Sequence, residues 1–137
     1  IAIGTPPKND KDISFLLDQG VKSILSLCDQ NEGSWWPKLE ETFICKRIIL
    51  PDHKFDRCLN LSELNSAVEE LEYLIQNGIV FVHCFAAIER SPLVCMGWLV
   101  KYKRFSAINA LSYLMEINSG TNPSSKQFEV IKKLYEG

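Results

Sequence analysis

Along the chain, apolar residues switch between a spacing of two and a spacing of three to four, and these switches predict the elements. Ala2 to Ile3 and Ser23 to Leu27 read as short buried strands, separated by an amphipathic helix from about Asp10 to Gln19. Gly20 stops that helix. The stretch Asp29 to Thr42 is acidic, contains Gly and Ser, and is broken by Trp35-Trp36-Pro37, which predicts a surface excursion with one helical turn. Ile44 to Leu50 is rich in isoleucine and ends at Pro51, as a strand feeding the loop Pro51 to Asn60 would. From Leu61, the positions Leu64, Val68, Leu71 and Ile75 recur at helical spacing until Gly78. Ile79 to His83 is apolar on both faces and therefore predicts a central strand of a parallel sheet.

Beyond that strand the pattern is helical. Ser91-Pro92 places proline in a first turn, opening a helix to about Lys103. Ser106 caps a second helix that carries Ala107, Ala110, Leu111 and Leu114 on one side. After Gly120, Asn122 and Pro123, the run Ser124-Ser125-Lys126-Gln127 fits a capping box before Phe128, Ile131 and Leu134. The fold class expected is α/β: a central, mostly parallel sheet of four to five strands flanked by helices, with a helical cluster at the carboxyl end. A length of 137 residues suits one domain over 1–137.

Composition narrows the partners. With 46% hydrophobic and 23% charged residues and a net charge of -2, the chain lacks the basic excess of a nucleic-acid binder. The longest apolar stretch, Ile79 to Ile88, is too short to cross a bilayer. We expect a soluble, monomeric, cytoplasmic protein with no nucleic-acid or membrane partner, and no signal peptide is legible. The five cysteines, Cys28, Cys45, Cys58, Cys84 and Cys95, show no Cys-x-x-Cys spacing and share the chain with two histidines. Neither a disulfide framework nor a zinc site is expected, and no cofactor or metal.

The segment from His83 to Pro92 joins the central strand to a helix through a loop that holds one cysteine and one arginine. Open α/β folds place ligands at this edge. Successive backbone N–H groups of Phe85, Ala86, Ala87, Ile88 and Glu89 can converge on an anion, and the helix start adds the positive end of its dipole. Arg90 can grip two oxygens of one phosphoryl group through its planar fork. The field that holds a phosphate also favours a thiolate at Cys84, so a nucleophile stands where its target binds. A buried, unreactive thiol is the commoner fate of a lone cysteine, but it leaves the shared loop with Arg90 unexplained.

With His83, Cys84, five intervening residues, Arg90 and Ser91, the chain resembles the protein tyrosine and dual-specificity phosphatase superfamily. Gly4, the strand Ser23 to Leu27, the helix before the signature strand and the Asn122-Pro123 turn look like its small dual-specificity branch, so the resemblance spans nearly the whole chain. It implies that Cys84 attacks phosphorus to form a cysteinyl-phosphate, that Arg90 binds the equatorial oxygens, and that the Ser91 hydroxyl steadies the leaving thiolate. His83 would orient the loop. The family carries a general acid just after an upstream strand, the place of Asp52 here; Asp56 is the runner-up. The chain departs from the pattern where Ala87 stands in place of the usual glycine.

The substrate expected is a phosphorylated protein or peptide. Glu89 in the phosphate loop disfavours highly anionic head groups. By family analogy, the short segment after Asp29 leaves room for phosphoserine and phosphothreonine beside phosphotyrosine. Two alternatives stay open: a weak pseudo-phosphatase that binds phosphorylated partners, and a phosphatase of lipid, sugar or inositol phosphates. A rhodanese-type domain also carries a cysteine loop between strand and helix, but the helices after Arg90 and the upstream Asp52 disfavour it. Trp35 and Trp36 read as packing or a pocket rim. Either Cys95 or Cys58 is a conceivable disulfide partner of Cys84, with idle thiols the blander reading.

Overall fold

Because each strand is followed by a helix, the strands return to the same edge and pair in parallel. The computed structural model describes residues 1–28, 36–51, 59–84 and 90–136. Its order is β1 (Ala2–Gly4), α1 (Asp10–Asp18), β2 (Val21–Ser26), α2 (Trp36–Thr42), β3 (Ile44–Arg47), α3 (Leu61–Ile75), β4 (Ile79–His83), α4 (Arg90–Tyr102), α5 (Ala107–Ile117) and α6 (Ser125–Glu136). The four strands form one sheet in the order β1-β4-β2-β3, every pair parallel. The expected α/β architecture is therefore present, with β4 inside the sheet as its two-sided apolar pattern predicts.

Alternation along the strands divides the core into two layers. One face presents Ile24 and Phe81, covered by Ile13 and Leu16 of α1 and by Leu39 of α2. The other presents Leu25, Leu27, Val80 and Val82 to the larger helical layer α3–α6. Gly97 of α4 lets three helices meet there: a Cβ at this position would lie 2.7 Å from Val68 Cγ2 of α3 and 3.0 Å from Leu134 Cδ1 of α6. Among the described residues, no helix is long and apolar enough to cross a membrane.

Local signals account for the helix ends. Asn60 and Glu63 exchange both bonds of a capping box at 2.8 and 3.1 Å, and Gly78, at φ 128°, ends the following turn. Ser124 and Gln127 form the second box that the sequence predicts. The main departures lie around α2 and β3. Within the excursion expected over Asp29 to Thr42, the single helical turn is a longer, seven-residue helix over 36–42, because Leu39 and Phe43, one turn apart, are both buried against the smaller core layer. The strand expected over Ile44 to Leu50 ends at Arg47. Beyond it Ile48 N–H donates to Ser26 C=O and Leu50 N–H to Leu27 C=O, two residues of travel against one, so the ladder loses register.

Candidate active site

Parallel pairing brings the carboxyl ends of the strands together and aligns Gly4 with His83, His83 with Ser26, and Ser26 with Arg47. Side chains at equal register on neighbouring strands share a face. His83, Ser26 and Arg47 therefore stand on the side of α1 and α2, while Cys84, one residue on, joins the opposite core layer. The two neighbours of the His-Cys pair point to different faces of one sheet.

Cys84 is 2% exposed, and its Sγ lies 3.3 Å from Ser91 Oγ. Ser91 is wholly buried in the first turn of α4, so its hydroxyl is held against the sulfur by helix geometry. Arg90 opens the same helix and is 3% exposed. Its Nη1 donates to the carbonyls of Leu27 at 3.4 Å and Leu50 at 3.5 Å, long bonds that locate the guanidinium at the ends of β2 and the segment after β3. A thiol sulfur, a hydroxyl and a buried cation thus converge at the amino end of a helix, an arrangement suited to an oxyanion.

His83 is fully buried. Burial pushes its imidazole down to about 4; a backbone hydrogen bond at Cys84 opposes this, and the positive charges of Arg47 and Arg90 reinforce it. The ring is accordingly neutral at physiological pH. Its Nδ1 lies 3.8 Å from Cys28 Sγ, which in turn lies 3.6 Å from Ser26 Oγ. Its Nε2 has no hydrogen-bond partner among the described residues.

Of the residues singled out from the sequence, the structure brings together His83, Cys84, Arg90 and Ser91. Asp52, Asp56, His53, Cys58 and the loop residues Phe85, Ala86, Ala87, Ile88 and Glu89 lie outside the described residues, as do the side chains of Trp35 and Trp36. Cys95 packs in the larger core layer, where burial pushes its thiol up to about 12, the behaviour of an idle thiol. Cys28, Ser26 and Arg47 were not legible as site residues. The available signal was positional: Ser26 ends the strand beside the signature strand, and Arg47 ends the strand beyond that one.

The profile of the dual specificity phosphatase catalytic domain matches residues 7–136. Human dual specificity protein phosphatase 5 is 41% identical over 49 residues, 36% of this chain and 13% of that protein. Tyrosine-protein phosphatase yvh1 of Schizosaccharomyces pombe is 33% identical over 63 residues, 46% of this chain and 19% of that protein. The chain thus matches less than a fifth of the length of either curated relative. Among solved structures, PTPMT1 in complex with PI(5)P superposes with a TM-score of 0.81 at 20% identity, covering 98% of this chain and 90% of that one. A match over almost all of the chain, on a fold with its cysteine and arginine at the carboxyl edge of β4, shows that the chain belongs to the dual-specificity phosphatase family.

Proposed function

We propose that this domain is an active cysteine-dependent phosphatase of phosphorylated proteins, acting on phosphotyrosine and on phosphoserine or phosphothreonine. The observation that carries the reading is the 3.3 Å approach of Ser91 Oγ to the buried Cys84 Sγ beside the buried Arg90. The Cys84 thiolate attacks phosphorus and forms a sulfur–phosphorus bond as the ester oxygen leaves. Asp52, or Asp56 in its place, gives that oxygen its proton. Water then attacks the cysteinyl-phosphate, its proton passing to the carboxylate, and inorganic phosphate departs. The Ser91 hydroxyl donates to the sulfur as it regains negative charge. Arg90 and the N–H groups of 85–89 hold the equatorial oxygens in both steps.

The likeness to PTPMT1 in complex with PI(5)P keeps a phosphoinositide in view as the rival substrate. A comparative assay on phosphotyrosine peptide, phosphothreonine peptide and phosphoinositide, each with Cys84→Ser as control, tests the reading. The expected outcome is vanadate-sensitive phosphate release from the peptides that survives chelators and falls by about 10⁵–10⁶-fold in the variant. Turnover unchanged in Cys84→Ser would overturn the mechanism. Exclusive turnover of the phosphoinositide would overturn the substrate class, and binding of phosphopeptide without phosphate release would make the domain a binder.

A further inference from the structure

On the sheet face toward α1 and α2, parallel register sets Ala2 of β1 across from Phe81 and Gly4 across from His83. The backbone at Gly4 does not call for glycine, since the glycines with positive φ among the described residues are Gly20 and Gly78. Space does. A Cβ at Gly4 would lie 2.8 Å from Phe81 Cζ and 2.9 Å from Phe81 Cε1, closer than a real Cβ comes to its neighbours. The Phe81 ring therefore leans toward the carboxyl end of the sheet and lies over its diagonal neighbour on the edge strand. A ring laid across an edge glycine covers backbone that no side chain shields.

In that place the ring stands beside the imidazole of His83, where a side chain on residue 4 would otherwise be. The two ring centroids are 6.1 Å apart and the planes meet at 31°, within the range of an aromatic pair. Phe81 is 7% exposed and His83 is wholly buried, so the pair is closed to solvent. His83 thus has Phe81 on the β1 side and the end of β2, with Cys28 Sγ 3.8 Å from Nδ1, on the other. Phe81 also belongs to the smaller core layer, with Ile13, Leu16 and Ile24. A ring displaced from Gly4 has His83 as its neighbour along the strand.

We propose that Gly4 and Phe81 act together as positioning residues: the missing Cβ admits the Phe81 ring, and the ring holds the imidazole of His83 in place from the β1 side. Neither residue touches substrate. A methyl group on residue 4 pushes the ring toward His83, and loss of the ring opens the imidazole to water. Either change disturbs the residue that precedes Cys84.

The inference rests on the reading of Cys84 as nucleophile, and the test separates the two. Gly4→Ala should lower kcat for an aryl phosphate about five- to tenfold with KM nearly unchanged. Added to Phe81→Leu, it should cost less than about twofold, because the shorter side chain leaves room for the methyl group. Added to His83→Ala, it should again cost less than about twofold, because the group acted upon is gone. An unchanged kcat in Gly4→Ala, or the full loss on either background, would overturn the proposal.

Should Gly4→Ala fail to fold, Phe81→Leu decides alone. The chain has two histidines, so NMR titration of histidine-labelled protein follows two imidazoles, and His53→Gln identifies that of His83. The side chains that face this ring from other elements, Arg47 of β3, Arg90 of α4 and Cys28 beyond β2, are all retained in the variant. An imidazole opened to water should therefore titrate above its value of about 4, and kcat should fall about threefold or more with KM kept. An unchanged titration or an unchanged kcat would overturn the proposal. If the wild type released no phosphate from any ester, the nucleophile reading would fail, and the His83 titration in Phe81→Leu would still decide whether the ring shields the imidazole.

Discussion

The two faces of the sheet are built from the same strands yet carry different duties. The face toward α3–α6 is apolar along β2 and β4, with Leu25, Leu27, Val80 and Val82 continuing into Cys84. The face toward α1 and α2 begins with Ile24 and Phe81 and becomes polar at its carboxyl end, at Ser26, Arg47 and His83. A strand buried on both sides has no solvent to accommodate polar groups, so each polar side chain needs a partner within the fold. The larger layer thus anchors Cys84 by packing, whereas the smaller layer holds the neighbouring histidine by polar contacts. Stability and chemistry should respond separately to changes on the two sides.

The largest expected effect would break the comparison at its edge. Arg90→Lys keeps a positive charge but loses the planar fork, so kcat/KM for an aryl phosphate should fall about 10²–10³-fold with an unchanged circular dichroism spectrum. A loss below about threefold would remove Arg90 from the phosphate site. The next concerns the polar face. His83 is held down at about 4 by burial, against an ordinary value of 6.5, so the unfolded chain binds the extra proton between those values. Stability from this group is complete above pH 6.5 and is lost as pH falls toward 4, by about 3 kcal/mol. Urea unfolding across that window should show the loss in the wild type and a flatter profile in His83→Gln.

Two smaller effects sharpen the contrast. Ser91→Ala removes the hydroxyl 3.3 Å from Cys84 Sγ and should slow hydrolysis of the phosphoenzyme about ten- to a hundredfold, seen as a larger burst in rapid-quench experiments. Equal slowing of burst and steady state would place Ser91 in the first chemical step instead. On the helical side, Gly97→Ala puts a methyl group 2.7 Å from Val68 Cγ2 and should destabilise by about 2 kcal/mol in urea while changing kcat/KM less than about twofold. A large kinetic loss with intact stability would show that the two faces are not separable.

Elements with strong period or punctuation were legible from the residues: α3 between Asn60 and Gly78, α5 after Ser106, α6 after Ser124, and β4 as a two-sided apolar strand. Less legible were α2, whose two anchoring side chains lie within an otherwise polar stretch, and the end of β3, which depends on a register slip against β2. At the site, His83, Cys84, Arg90 and Ser91 are contiguous enough to be recognised together. Cys28 was only one thiol among five, because nothing local distinguishes it.

By itself, the sequence determined the class of chemistry, since a cysteine and an arginine on one short loop between strand and helix are constrained by local geometry wherever the strand sits. It also determined the parallel α/β plan, through alternating periods and helix stops. Only the tertiary structure decided that β2 lies next to β4 and that its end brings Ser26 and Cys28 to His83, fifty-five residues beyond Cys28. Strand order is settled by how two core layers are covered at once, a balance spread over the whole chain. That balance places the residues behind Cys84, and no local pattern records it.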